Sequence, residues 1–192
     1  GQTVMKILIT GANGYLGQGI VKSILELGHD VVAADFSVQN IDNRAKTIAC
    51  NLFEVENPYH FFGEPDVLLH LAWRDGFVHY SDAHIDDLPK HYKFVKEMAS
   101  SGVKQIAVMG SMHEIGFYEG SINENTPCHP ITPYGIGKNA LRDLTQMVCK
   151  QNNTTFQWLR GYYIVGNSNT KSCIHKNGYL VYLCCCCISG GC

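Results

Sequence analysis

Residues 11–17 read Gly-Ala-Asn-Gly-Tyr-Leu-Gly. They stand between an apolar run, Met5 to Thr10, and a segment in which Leu16, Ile20, Val21, Ile24, Leu25 and Leu27 recur at helical spacing. A strand that ends in glycines and turns straight into a helix is a narrow structural demand. The glycines let the backbone approach a charged group closely, and the helix N-terminus presents N–H groups and the positive end of a dipole. His29 to Asp35 is a second short strand pattern, closing on an acid about 20 residues after the turn, where a ribose hydroxyl is expected. The order strand, turn, helix, strand, acid predicts a pyrophosphate cradle, and with it a bound dinucleotide.

The remaining pattern extends this unit into a sheet. Strand candidates follow at Lys46 to Cys50, Val67 to Ala72, Lys104 to Gly110 and Thr155 to Tyr162. Helical patterns separate most of them, at Val55 to Phe62, Asp87 to Ser100 and Pro133 to Lys150. Pro89 fits only a first turn, so the second of these is expected to start at Asp86 or Asp87, either of which can serve as its N-cap. Short apolar strands alternating with helices predict an α/β fold, a doubly wound parallel sheet covered on both faces. The 192 residues suffice for one such domain, expected over 1–170.

Net charge narrows the partners. At −2 the chain offers no basic field for nucleic acid or an anionic membrane. No run approaches the length of a membrane-spanning helix and no secretory leader pattern opens the chain, so a cytoplasmic protein is expected. Of nine cysteines, Cys50, Cys128 and Cys149 are widely spaced, as reduced thiols are, and the other six fall in the last twenty-odd positions. The contiguous block Cys184 to Cys187 lacks the separated pairs a tetrahedral zinc site takes from two loops, and no metal is expected.

Chemistry is expected at Tyr134 and Lys138. Four residues apart near the start of a helix, they share one face. A free phenol has a pKa near 10, and a neighbouring ammonium lowers it toward useful basicity. Tyr92 and Lys96 repeat the spacing, but they lie inside an amphipathic helix before the serine strand, whereas Tyr134 follows that strand and its loop. Ser111, at the end of the strand, is placed to orient a substrate oxygen toward the phenol.

These motifs, in this order, resemble the extended short-chain dehydrogenase/reductases of the NAD-dependent epimerase/dehydratase family, from about residue 5 to residue 166. The resemblance implies a Rossmann domain, NAD as hydride carrier, a Ser-Tyr-Lys catalytic group of Ser111, Tyr134 and Lys138, and a sugar or nucleotide-sugar substrate. By position it implies that Gly11, Asn13, Gly14 and Gly17 form the pyrophosphate turn, with Tyr15 and Leu16 at the helix start. Asp35 would take the adenosine ribose hydroxyls, and with Phe36 rather than arginine after it NAD is favoured over NADP. Asn51 and Leu52 would lie against adenine, and Leu71, Ala72 and Trp73 beside the cofactor. Tyr134 and Lys138 would also touch it.

The stretch Ser111-Met112-His113 through Gly116-Phe117-Tyr118 resembles uronate dehydrogenases more particularly. There Ser111, Met112 and His113 would contact a free sugar acid, oxidised to its lactone. The family departs at Asp86 to Pro89, where an asparagine and a Gly-Thr pair are common, and at Gly110, where a serine is common. The other histidines, including His79, His84 and His91, carry no matching acid or cysteine pattern and read as core or surface residues. Many relatives pair as homodimers through the helices flanking the serine strand, here Asp87 to Ser100 and Pro133 to Lys150.

After Asn169 the resemblance ends, well short of the substrate lobe such enzymes carry. Residues 171–192 read as an atypical cysteine-rich tail without helical or alternating polarity. Translation outside the natural frame is one reading, and an apolar segment covering the sheet edge is the other. An NAD-binding protein without catalysis is the corresponding alternative to an enzyme.

Overall fold

The computed structural model describes residues 3–111, 129–166 and 179–187, with residues 111, 160–166 and 179–187 described as backbone. Six parallel strands form the sheet: β1 (Lys6–Thr10), β2 (Asp30–Asp35), β3 (Lys46–Ala49), β4 (Val67–His70), β5 (Gln105–Ser111) and β6 (Thr155–Gly166). A seventh, β7 (Tyr179–Cys187), runs antiparallel to β6, giving the order β3-β2-β1-β4-β5-β6-β7. The order reverses between β1 and β4, which is where an open α/β sheet leaves a crevice at the carboxyl ends of its strands.

Alternation along the strands builds two cores. Leu8, Val32, Ala34, Leu68, Ile106 and Val108 face one side and pack with Phe94, Val95 and Met98 of α4 (Leu88–Ser101) and Leu141 and Val148 of α5 (Pro133–Gln151). Ile7, Ile9, Val31, Ala33, Val67, Leu69 and Ala107 face the other and pack with Val21 of α1 (Tyr15–Glu26). With both faces covered, these strands carry almost unbroken apolar runs, the pattern seen in the sequence.

The expected elements appear with shifted ends. The pattern at Val55 to Phe62 shrinks to the one-turn α2 (Pro58–Phe61), preceded by a single 3-10 turn, Leu52–Glu54. Another one-turn helix, α3 (Ala83–Asp86), precedes α4. Asp87 is the N-cap of α4 by position, but its carboxylate makes no capping bond. It is held instead by the Arg74 guanidinium through two bonds of 2.9 and 2.8 Å. The tail contributes β7, whose partners run from Gln157↔Cys187 to Gly166↔Tyr179, so Cys184 to Cys187 belong to an edge strand.

Candidate functional site

The glycine turn is built by close backbone approach. Gly11 has φ +64°, and a Cβ there would come within 2.8 Å of the Ala72 backbone nitrogen. At Gly17 a Cβ would meet the Gly11 carbonyl oxygen at 2.4 Å. No side chain caps α1 at Gly14, which leaves the positive end of that helix to an anion from outside. The residues therefore fit a dinucleotide pyrophosphate on this chain's own geometry.

Asp35 ends β2 beside the turn. Its two carboxylate oxygens accept the Asn13 N–H at 3.0 Å and the Phe36 N–H at 2.7 Å. A carboxylate has about four lone-pair directions, so acceptor capacity for ribose hydroxyls is left. The Asn13 side-chain oxygen accepts the Asn40 N–H at 2.9 Å and ties the turn to the next loop. A cleft opens here, lined among others by Gly11, Asp35, Phe36, Cys50, Leu52 and Ala72. Phe36 is 75 % exposed at its rim. Asn51 sits beside it with its oxygen engaged by the Phe53 N–H at 3.2 Å, capping the 3-10 turn. Tyr15 is also exposed, at the start of α1.

A buried polar chain ties β1 to β4 behind the turn. Thr10 Oγ1 accepts the Leu71 and Ala72 N–H groups at 3.1 and 3.3 Å. Its hydroxyl lies 2.8 Å from His70 Nδ1, and His70 Nε2 lies 2.8 Å from His91 Nδ1. Burial, with smaller contributions from His91 and Lys138, holds His70 well below its usual range. Burial lowers His91 to about 3, with Lys138 and then Lys90 adding to the effect. Two neutral rings are thus consistent with a donor at one end and an acceptor at the other.

Tyr134 and Lys138 lie in the first turns of α5. Thr132 caps this helix, its hydroxyl oxygen accepting the Gly135 N–H at 3.1 Å, and Pro133 fills the first turn. Lys138 is 4 % exposed. Its ammonium donates to the Met109 carbonyl of β5 at 2.8 Å and lies 4.4 Å from the centroid of the Trp73 ring. Tyr134 stacks on His79 at 5.2 Å and meets His84 edge to face at 5.1 Å. Its backbone N–H donates to the His79 carbonyl at 3.0 Å. A Cβ on Gly137 would lie 2.5 Å from the His84 carbonyl oxygen, so glycine there lets α5 approach α3.

The structure thus gathers Gly11, Gly14, Gly17, Asp35, Leu52, Leu71 and Ala72 along the switch-point edge. Trp73, Tyr134 and Lys138 gather at its other end. Ser111 ends β5, paired in register with Gly161. Met112 and His113 lie outside the described residues. His79 and His84, which read as core or surface residues in the sequence, flank Tyr134. Only proximity in space reveals them, since neither stands at a motif spacing from the tyrosine.

A parallel sheet with a glycine turn at its switch point gives the chain a doubly wound, Rossmann-like fold. Residues 7–177 match the model of the NAD dependent epimerase/dehydratase family, and the chain belongs to that family. It is 40% identical over 176 residues to a dTDP-6-deoxy-L-talose 4-dehydrogenase (NAD(+)) of Aggregatibacter actinomycetemcomitans, covering 88% of this chain and 65% of the relative. A UDP-glucose 4-epimerase of Thermotoga maritima superposes with a TM-score of 0.72 at 19% identity, over 91% of this chain and 60% of that one. A UDP-glucuronic acid 4-epimerase of Bacillus cereus in complex with NAD gives 0.70 at 21%, over 84% and 58%. Structural likeness at these identities bears on the fold alone. The chain spans about two-thirds or less of the length of these proteins.

Proposed function

We propose that this chain carries the cofactor-binding and acid–base part of an NAD-dependent oxidoreductase acting on a nucleotide-linked hexose. Oxidation of a ring carbinol, at the 4-position of a 6-deoxyhexose, is the reaction favoured by the 40% identity to the dTDP-6-deoxy-L-talose 4-dehydrogenase. The carrying observation is the buried Lys138 ammonium. It is held at the carboxyl end of β5 by the Met109 carbonyl, on the helix that begins with Tyr134.

The turn of Gly11, Gly14 and Gly17 with Asp35 would hold NAD, which would supply the acceptor for the hydride leaving the sugar carbon. Tyr134 takes the hydroxyl proton as the carbonyl forms and returns it in the reverse direction. Lys138 stabilises the phenolate through its charge, and Ser111 orients the sugar oxygen. Asp35 and the turn of Gly11, Gly14 and Gly17 hold the adenosine and pyrophosphate. An acid at position 35 repels a 2′-phosphate, which favours NAD over NADP.

Calorimetric titration of the 192-residue chain with NAD and with NADP, followed by incubation with NAD and a dTDP-linked 6-deoxyhexose, tests the reading. NAD-selective binding with NADH released in proportion to substrate supports it. NAD binding with hydride returned to the sugar points to an epimerase. NAD binding that is unaffected by Tyr134→Phe, with no turnover on any nucleotide sugar, leaves a binding protein and overturns the catalytic assignment for this chain.

A further inference from the structure

Trp73 is the first residue after the segment that abuts the glycine turn, and its ring is fixed on several sides. The indole N–H donates to His84 Nδ1 at 2.8 Å, and His84 Nε2 lies 2.8 Å from the Val78 carbonyl. A carbonyl only accepts, so Nε2 carries the proton and Nδ1 is left to accept the indole. The His91 ring stacks on the indole at 4.7 Å with 17° between planes. Lys138 completes the arrangement, with its ammonium 4.4 Å from the ring centroid. Trp73 also meets Tyr134 edge to face, at 6.4 Å.

A lysine side chain has four rotatable bonds, and holding its ammonium in one place requires more than one partner. The Met109 carbonyl supplies a hydrogen bond from one strand. The negative face of an indole supplies an attraction that is strongest where water is excluded, as it is around a lysine this buried. We propose that Trp73 is a positioning residue for the acid–base pair: its ring, locked by His84 and His91, holds the Lys138 ammonium where its charge acts on the Tyr134 phenol. This rests on the reading of Tyr134 and Lys138 as that pair. The titratable groups around Tyr134 include His79 of the loop after β4, His84 of α3 and Lys138 of its own helix, with His91 of α4 stacked on Trp73.

The test is the ionisation of Tyr134 itself, read in the 192-residue chain without substrate or cofactor. Phenolate absorbance is followed against pH, and Tyr134 is isolated from the other nine tyrosines by subtracting the Tyr134→Phe variant. Lys138→Met is expected to raise the Tyr134 pKa. Trp73→Leu is expected to raise it by about one unit, and Trp73→Phe, which keeps an aromatic face, by less. If Lys138→Met raises the value and Trp73→Leu leaves it unchanged, Trp73 has no positioning role and the pair survives. If Lys138→Met has no effect, the pair itself fails and the proposal falls with it. Should Trp73→Leu not fold, as judged by circular dichroism, biosynthetic replacement of tryptophan by a fluorinated analogue weakens the ring face while conserving its outline. The same upward shift is then expected, and an unchanged value overturns the proposal.

Discussion

At the scale of single residues, the glycine turn depends on atoms that are absent. Adding one methyl at Gly17 would force the Gly11 carbonyl and the Ala12 backbone apart, both within 3 Å of the new carbon. Gly17→Ala is expected to cost about 1–3 kcal/mol of stability and to weaken NAD binding at least roughly tenfold. Denaturant unfolding and calorimetry read the two effects. Gly76→Ala, with open space at its Cβ, serves as the neutral control. Gly17 is legible from sequence because its constraint is local, acting between residues of one turn. The surroundings of Tyr134 are not. Lys96 lies over Tyr92 at 5.7 Å, so a tyrosine four residues before a lysine is not special to α5, and only placement in the sheet separates the two pairs. His79 and His84 reach Tyr134 across about fifty residues of chain, and no local pattern encodes that approach.

Among the elements, α5 has the most to do, since it carries both members of the proposed acid–base pair and packs on β5 and β6. Its start is set by Thr132, whose hydroxyl accepts the Gly135 N–H. Thr132→Ala is expected to destabilise the protein by about 1 kcal/mol, measured as a lower denaturant midpoint with unchanged slope. Thr132→Ser, which keeps the oxygen, should recover most of that loss. Helices of this length are readable because their apolar period repeats several times. The one-turn α3 gives no period to read, and it was missed although its His84 is buried against the site. Periodicity was equally silent on β7, where Leu180 to Cys187 lack alternation and pairing with β6 defines the strand. The start of α4 was anticipated within a residue, but Asp87 serves Arg74 rather than the helix backbone. Composition identifies a capping residue type and cannot tell whether a nearer cation claims it.

For the molecule as a whole, the buried histidines couple stability to pH. His70 and His91 ionise far less readily in the folded chain than in an unfolded one, where the value is near 6.5. The unfolded state therefore binds more protons once the pH drops below about 6.5. Stability is complete above that value. It is expected to fall toward about pH 3 for His91, by up to about 1.4 kcal/mol per pH unit for each histidine. Urea unfolding at a series of pH values measures this slope, and His91→Phe should flatten it. A parallel sheet covered on both faces followed from the alternation of strands and helices, whereas the strand order and the histidine chain spanning β1, β4 and α4 required three-dimensional placement. Four consecutive residues, the last of β4 and the three that follow it, now take on a different importance. His70 bonds to Thr10, Leu71 and Ala72 meet the same hydroxyl, Ala72 abuts Gly11, and Trp73 carries Lys138. Leu71 and Ala72 make these contacts through their backbone, so inserting or deleting one residue here would move every one of these groups off its partner. Descendants of this sequence can exchange letters at these positions but cannot change their number, and an alignment of functional homologues should show no gap between 70 and 73.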